Sequence, residues 1–253
     1  MSSFLVLDLE TVLDTSLPAP KLTDGEREKG KKEPFPPPVL HQVVCAGWAV
    51  LDESYMVEGW GVMGDKGEPE VAILKRLIGV VEKLDPVIVT FNGRGFDLPV
   101  VAARAFVHGI PFGWYYKTKF GARYRYSLTD TYDLMDFLAD YGAAPKAGLD
   151  VWAQAAGWPG KGTTTGNDVQ EMWELGAVQA ICDYCMGDVC QTIAVLLRAE
   201  LLRGALSERE YRRAADRLLE KAEGDVRTAA LAFGCDRARF LLDETMNSRE
   251  AAE

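Results

Sequence analysis

FLVLDLET, residues 4–11, is an apolar run that ends in acid. Phe4 to Leu7 predicts a buried strand. Residues two apart in a strand face the same side, so Asp8 and Glu10 stand together at its end. Neighbouring carboxylates repel, and burying even one without a partner is costly. A divalent cation resolves that conflict. The same pattern also describes a strand running out into solvent, and D-x-E alone does not separate the two.

Working outward, HQVVCAGWAVL (41–51) and SYMVEGWGV (54–62) read as two further strands, which with the first suggest a meander. Residues 68–84 carry helical spacing. PVIVTF (86–91) is a strand, followed by the NGRG turn and a helix from Asp97 to His108. A short strand and a short helix fill 128–141, and short helices surround a Gly/Thr-rich loop in 145–175. Residues 176–203 form the longest amphipathic pattern. Residues 207–222 are a separate helix, capped by Ser207 with Glu210 three residues on. The last ~30 residues read as helical but weakly packed. Residues 14–38, rich in Pro, Lys and Glu, predict a mobile surface loop, with its placement over the site or in solvent left open. Strands first, then alternating strand and helix, give an α/β domain with a mixed sheet. The expected division is 1–203 as the main domain and 204–253 as a helical extension, a candidate surface for a protein partner.

Two further motifs join Asp8 and Glu10. Asn92-Gly-Arg-Gly-Phe-Asp97 follows the apolar strand and opens a helix, with glycines that permit the turn. Asp97 at a helix N-terminus is also what ordinary capping requires. Tyr184-Cys-Met-Gly-Asp188 lies on the long helix, where i and i+4 share a stripe. The core face of that helix runs through Val178, Cys182, Cys185, Val189, Ile193 and Leu196, and places Tyr184 and Asp188 at its flank.

Asp-x-Glu-Thr ending a first strand, Asn-x3-Phe-Asp after a later strand and Tyr-x3-Asp on a late helix together resemble the DEDD superfamily of 3′–5′ exonucleases, in its Tyr subclass. TFNGRGFDLP (90–99), YCMGDVCQT (184–192) and GWPGKG (157–162) look most like the exonucleases related to the proofreading domain of family B DNA polymerases. The resemblance covers roughly residues 3–203. The other subclass has His five residues before the last Asp; here that position is Asp183. The long loop 14–38 departs from the family's pattern.

The resemblance implies a ribonuclease-H-like fold, a mixed five- to six-stranded sheet flanked by helices. It implies a phosphodiester hydrolase that trims single-stranded DNA or RNA from the 3′ end with two divalent ions, Mg²⁺ or Mn²⁺. Two metals about 4 Å apart supply an activated water, a charge clamp and help for the leaving oxygen, and hard ions prefer carboxylate oxygens. By the same resemblance Asp8 bridges both metals, Glu10 and Asp188 complete the site of the attacking water, and Asp97 supports the second metal. Tyr184 orients the water, since a phenol with a pKa near ~10 is a poor free base. Thr11 and Asn92 would touch the terminal nucleotide. A competing expectation is a catalytically idle nucleic-acid-binding or scaffolding module of the same fold; the intact five residues argue against it.

With 28 basic against 38 acidic residues the net charge is −10, which excludes a global positive field for gripping nucleic acid. Contacts must be local or run through metal. GWYYKTKFGARYRY (113–126) holds four basic side chains (Lys117, Lys119, Arg123 and Arg125), six aromatics and no acid. It suits single-stranded nucleic acid or a β-hairpin with a core-facing aromatic side. Arg94, Lys146 and Lys161 sit in loops near the motifs. Asp133 either supports the site from behind or, like Asp130 and Asp136, is a helix-start acid.

Other patterns fail. The third glycine of a dinucleotide fingerprint is Leu98, and a P-loop around Lys161 lacks its first glycine, replaced by Ala155, and its Ser/Thr, replaced by Gly162. Cys182-x2-Cys185 has no second pair, and His41 and His108 are distant in sequence, so buried thiols are expected rather than zinc, His41 is read as structural, and a His-based mechanism is not expected. Five cysteines without a disulfide framework fit a reducing cytoplasm. MSSFLVLDLE has no basic n-region, and no run approaches the ~18 apolar residues of a spanning helix, so no membrane role is expected.

Overall fold

The computed structural model describes residues 3–18, 35–117, 121–160 and 166–243. Five strands, β1 (Phe4–Leu13), β2 (His41–Leu51), β3 (Val57–Met63), β4 (Val87–Thr90) and β5 (Thr131–Asp133), form one sheet in the order β3-β2-β1-β4-β5. The β1–β2 and β2–β3 pairs are antiparallel, and β1–β4 and β4–β5 are parallel. This is the expected mixed α/β sheet with its N-terminal meander. The first strand is longer than its apolar run. It continues past Asp8 to Leu13, with a register shift after Glu10 that pairs Glu10 with Cys45 but Thr11 with Val43. Such a bulge re-aims side chains locally.

Alternation along β1 sorts the two faces. Leu5, Leu7 and Leu9 pack with α1 (Glu70–Leu84), α2 (Asp97–Val107) and α3 (Gly113–Tyr116). Val6 joins the opposite layer, where α5 (Leu149–Ala155), α7 (Val178–Leu202) and α8 (Glu208–Glu223) contribute the core. Asp8 and Glu10 follow Val6 on that second face, and Val12 resumes the apolar pattern against Val169 of α6 (Val169–Glu174) and against Ile181, Cys182 and Cys185 of α7. The carboxylates thus interrupt a hydrophobic face instead of ending a strand in water. α7 has the length and composition of a membrane span, but 78% of that window is buried inside the fold.

α7 lies close over β2 because Gly47 has no side chain. A Cβ there would stand 2.8 Å from Cys185 Sγ and 2.9 Å from Val189 Cγ2.

Two expectations change. Residues 113–126 hold no hairpin among the described residues; Gly113–Tyr116 is the short helix α3, with Trp114 and Tyr115 buried, and turns follow. Two consecutive bulky rings on the core side of one turn favour helix over the alternation a strand needs. The described part of the C-terminal segment, up to residue 243, is not weakly packed. After α8, with the Ser207–Glu210 capping box in place, come α9 (Ala229–Phe233) and α10 (Arg237–Phe240). Phe240 is fully buried against Trp158 and Tyr211, and Tyr211 Oη donates to Phe240 O at 2.5 Å. The division expected after residue 203 falls between α7 and α8, whose apolar faces share one cluster.

The ends of the 14–38 segment are tied down. Asp14 N donates to Leu40 O at 2.8 Å. Buried Arg104 reaches Asp14 Oδ2 (2.8 Å), Val39 O (2.7 Å) and both oxygens of Glu70 (2.8 and 2.6 Å). The expected mobility, and whether the segment covers the site, concern mainly residues 19–34, which lie outside the described residues.

Candidate active site

Where β1 passes under α7, a cavity of about 690 Å³ opens, lined by Asp8, Glu10, Thr11, Asn92, Tyr184 and Asp188 among others. Asp97 reaches it through the backbone: its Oδ1 accepts the Leu9 amide, the one between Asp8 and Glu10, at 3.1 Å. Residues from β1, the turn after β4, α2 and α7 therefore converge, and the five sequence-predicted site residues lie in one neighbourhood. Glu10, Asp97 and Asp188 are each under 10% exposed.

Burial pushes the Asp97 carboxyl up to about 7 against the help of its hydrogen bonds, and the charges of Asp133 and Asp188 push the same way. A carboxyl crowded by other acids and withdrawn from water gains strongly as an anion from nearby positive charge. The donor atoms of Asp8, Glu10 and Cys185 lie within 4.8 Å of one another, close enough for one metal ion. Cys185 was read only as a core thiol. Its Sγ stands 3.4 Å from Asp8 Oδ2, and burial, above all, pushes its pKa well up, so it is a thiol donating to the carboxylate. Cys45 and Cys182 pack behind it with their sulfurs 3.7 Å from each other, both buried and free.

The turn after β4 is held from below. Asn92 takes φ 69°, and a Cβ on Gly93 would collide with Thr90 at 2.4 Å, so the turn requires glycine there. Asp133 accepts the amides of Asn92 (3.0 Å) and Arg94 (2.9 Å) and also those of Met135 and Asp136. It is both helix cap for α4 (Leu134–Leu138) and support for the turn, which joins the two alternatives read from sequence.

The cavity wall also holds residues that sequence reasoning missed: Phe35, Phe96, His41 and Gln170. His41 is not distant from the motifs. Antiparallel pairing sets it opposite Leu13, and its Nδ1 lies 3.1 Å from Thr11 Oγ1. Its ring stacks on Phe35 and meets Phe96 edge-on, and burial lowers its pKa. Hairpin pairing was the available signal.

The expected nucleic-acid contacts divide. Thr11 and Asn92 line the cavity. Arg94 and Arg125 converge on Asp136. Lys117 pairs with Asp85, which precedes β4, whereas Asn92 follows it; Lys117 therefore sits at the other end of the sheet. Arg123 lies over the Tyr116 ring at 4.9 Å, on the Lys117 side. Lys119 and Lys161 lie outside the described residues.

Residues 33–233 match a family model described as "predicted 3′-5′ exonuclease related to the exonuclease domain of PolB". That span begins after β1, so Asp8 and Glu10 stand outside it. No curated protein matches the chain in sequence. Among solved structures, the family B DNA polymerase of Pyrobaculum calidifontis superposes with a TM-score of 0.52 at 18% identity, over 88% of this chain and 29% of the polymerase. E. coli exonuclease I in complex with an oligonucleotide gives 0.42 at 17% identity, over 88% of this chain and 44% of that one. The chain therefore spans less than half the length of either. At these identities the likeness to the polymerase speaks for the fold.

Proposed function

The chain belongs to the family of predicted 3′–5′ exonucleases related to the exonuclease domain of family B DNA polymerases, and on that premise we propose that it hydrolyses phosphodiester bonds at the 3′ end of single-stranded nucleic acid, with Asp8, Glu10, Asp97 and Asp188 as metal ligands and Tyr184 beside them. One observation carries this reading: Asp97, some ninety residues along the chain, docks on the amide between Asp8 and Glu10, in a cavity that Tyr184 and Asp188 also line.

The donor set fits hard divalent ions, since it is mostly carboxylate oxygen and largely withdrawn from water. Two Mg²⁺ or Mn²⁺ ions bound there would supply an acidified water and neutralise charge building on the phosphate. Asp8 and Glu10 hold their ligand oxygens side by side because strand geometry fixes their spacing. The Leu9 amide keeps Asp97 turned toward them. Cys185 donates to Asp8 and limits its rotamers. Tyr184, on the cavity wall, orients the attacking water through its hydroxyl; positioning of this kind lowers the entropic part of the barrier. Phe96, Phe35 and His41 offer ring faces to the terminal base.

The test is release of mononucleotides from a 3′-labelled single strand, DNA and RNA in parallel, with Mn²⁺, Mg²⁺ or EDTA. Asp8→Asn is expected to lower the rate by orders of magnitude with an unchanged circular dichroism spectrum. Hydrolysis that survives in EDTA, or in Asp8→Asn, refutes the proposal.

A further inference from the structure

Beside the cavity, three cations surround one carboxylate. Asp136 is 1% exposed. Its Oδ2 accepts Arg94 Nε at 2.5 Å, its Oδ1 accepts Arg125 Nη2 at 3.1 Å, and Lys146 Nζ stands 3.7 Å from Oδ1. The side chains of the three partners are 32%, 36% and 46% exposed. The arrangement is contiguous with the site, because Asp133 holds the amides of both Asn92, on the cavity wall, and Arg94.

Neutralising a buried carboxylate takes one cation. Three exceed that need, and Asp136 does not use them up. Arg94 engages it through Nε and Arg125 through one terminal nitrogen, so neither half-exposed guanidinium gives Asp136 more than one of its nitrogens. Guanidinium forks with donors to spare are built for the paired oxygens of a phosphate. The carboxylate thus works as a hub that orients three part-exposed cations without taking up all of their donors. Aromatic rings flank the cluster. Tyr126 and Tyr141 lie 4.7 Å apart and Tyr124 and Tyr126 5.6 Å apart, with Tyr124 and Tyr126 exposed on either side of Arg125 in sequence. In a chain of net charge −10, a polyanion is repelled at long range and needs such a local foothold.

We propose that Arg94, Arg125 and Lys146, arrayed on Asp136, grip the phosphates of the single strand leading to the cavity, and that Tyr124 and Tyr126 stack its bases. This rests on the exonuclease reading and adds to it the place where the body of the substrate lies. The site reads charge and ring faces, so it accepts DNA and RNA alike.

The test is equilibrium binding of fluorescent deoxy- and ribo-oligonucleotides to the full chain in EDTA, where no hydrolysis occurs, over a series of salt concentrations. Each phosphate contact on a single strand contributes about 0.7 to the slope of log K against log salt. Arg94→Gln/Arg125→Gln/Lys146→Gln is expected to lower that slope by about 2 and the affinity by at least about tenfold. Lys146→Gln alone, the most exposed of the three and so tolerant of change, is expected to lower it by about 0.7; it carries the test if the triple variant does not fold. Tyr126→Ala is expected to weaken binding at least about fivefold. Unchanged slopes in Lys146→Gln and in a folded triple variant overturn the proposal. The two readings fail separately: patch-dependent binding without any hydrolysis removes the nuclease assignment alone, and Asp8-dependent hydrolysis with unaltered slopes removes the grip alone.

Discussion

Replacing Arg104 by methionine tests how the cavity's outer wall is held. Arg104 is 3% exposed and makes four hydrogen bonds: two to Glu70, one to Asp14 and one to Val39 O. Glu70 also accepts Val43 N and contacts His108 Nε2, both at 2.7 Å. Methionine fills much of the volume but leaves Glu70 buried without its main counter-charge. Removing one partner of a buried pair costs about 3–5 kcal/mol. For a chain of this size each kcal/mol lowers Tm by about 2–4 °C, so a fall of about 6–20 °C is expected. Asp14 and Val39 flank the segment whose far end carries Phe35 and Pro36 onto the cavity wall, so KM should rise as well. Urea denaturation followed by tryptophan fluorescence gives the cost, and repeating it in Glu70→Gln gives the coupling. Arg104→Met should then cost markedly less, by more than about 0.5 kcal/mol. A single-variant cost below about 1 kcal/mol, or strict additivity with Glu70→Gln, would refute the reasoning, because the cluster would then behave like a solvated surface pair.

Asp97 sets a pH dependence. Its carboxyl is pushed from 3.8 up to about 7 by burial; between those values the folded chain keeps a proton that the unfolded chain has released, so this group adds stability as pH falls through that window and subtracts it above. Metal binding needs the anion, so the rise in Tm on adding Mn²⁺ should be larger a unit above that value than a unit below, and a pH-independent rise would contradict the assignment. Gly47→Ala drives a methyl into Cys185 and Val189; a loss of about 1–3 kcal/mol from overpacking is expected, with slower hydrolysis because α7 carries Tyr184 and Asp188, and a variant with wild-type stability and rate would show that α7 yields freely. Ser207→Ala removes one half of the capping box of α8 and should cost about 1 kcal/mol in chemical denaturation with no change in oligonucleotide hydrolysis; a change in hydrolysis would tie α8 to the site.

Strand and helix identity was readable wherever periodicity had one meaning. The strand read in 41–51 and the helical spacing of 68–84 appear as elements with ends within a few residues of those expected, and the run from Phe4 to Leu7 opens β1. The failures share a cause. β1 was cut short because acids look like an exit to solvent, whereas β2 extends the pairing to Leu13 and α7 covers the face. Aromatics in 113–126 suggested a hairpin, but the packing of Trp114 and Tyr115 against the α1–α2 layer, which no local pattern shows, selects a helical turn.

The candidate site was legible to the extent that its chemistry is written in short motifs, and illegible where it depends on pairing between distant segments. Asp8, Glu10, Asp97, Tyr184 and Asp188 each sit in a motif whose local geometry points them one way. Their neighbours do not. His41 reaches Thr11 through hairpin register, and Cys185 meets Asp8 because Gly47 lets two elements touch. Asp136 gathers Arg94, Arg125 and Lys146 from three separate loops. In each case the decisive quantity is a distance between segments of no fixed separation along the chain. Substitution of Gly47 and Asp136 therefore probes what motif reading leaves out: the first moves a helix carrying two of the motif residues, and the second releases three cations while leaving every motif intact.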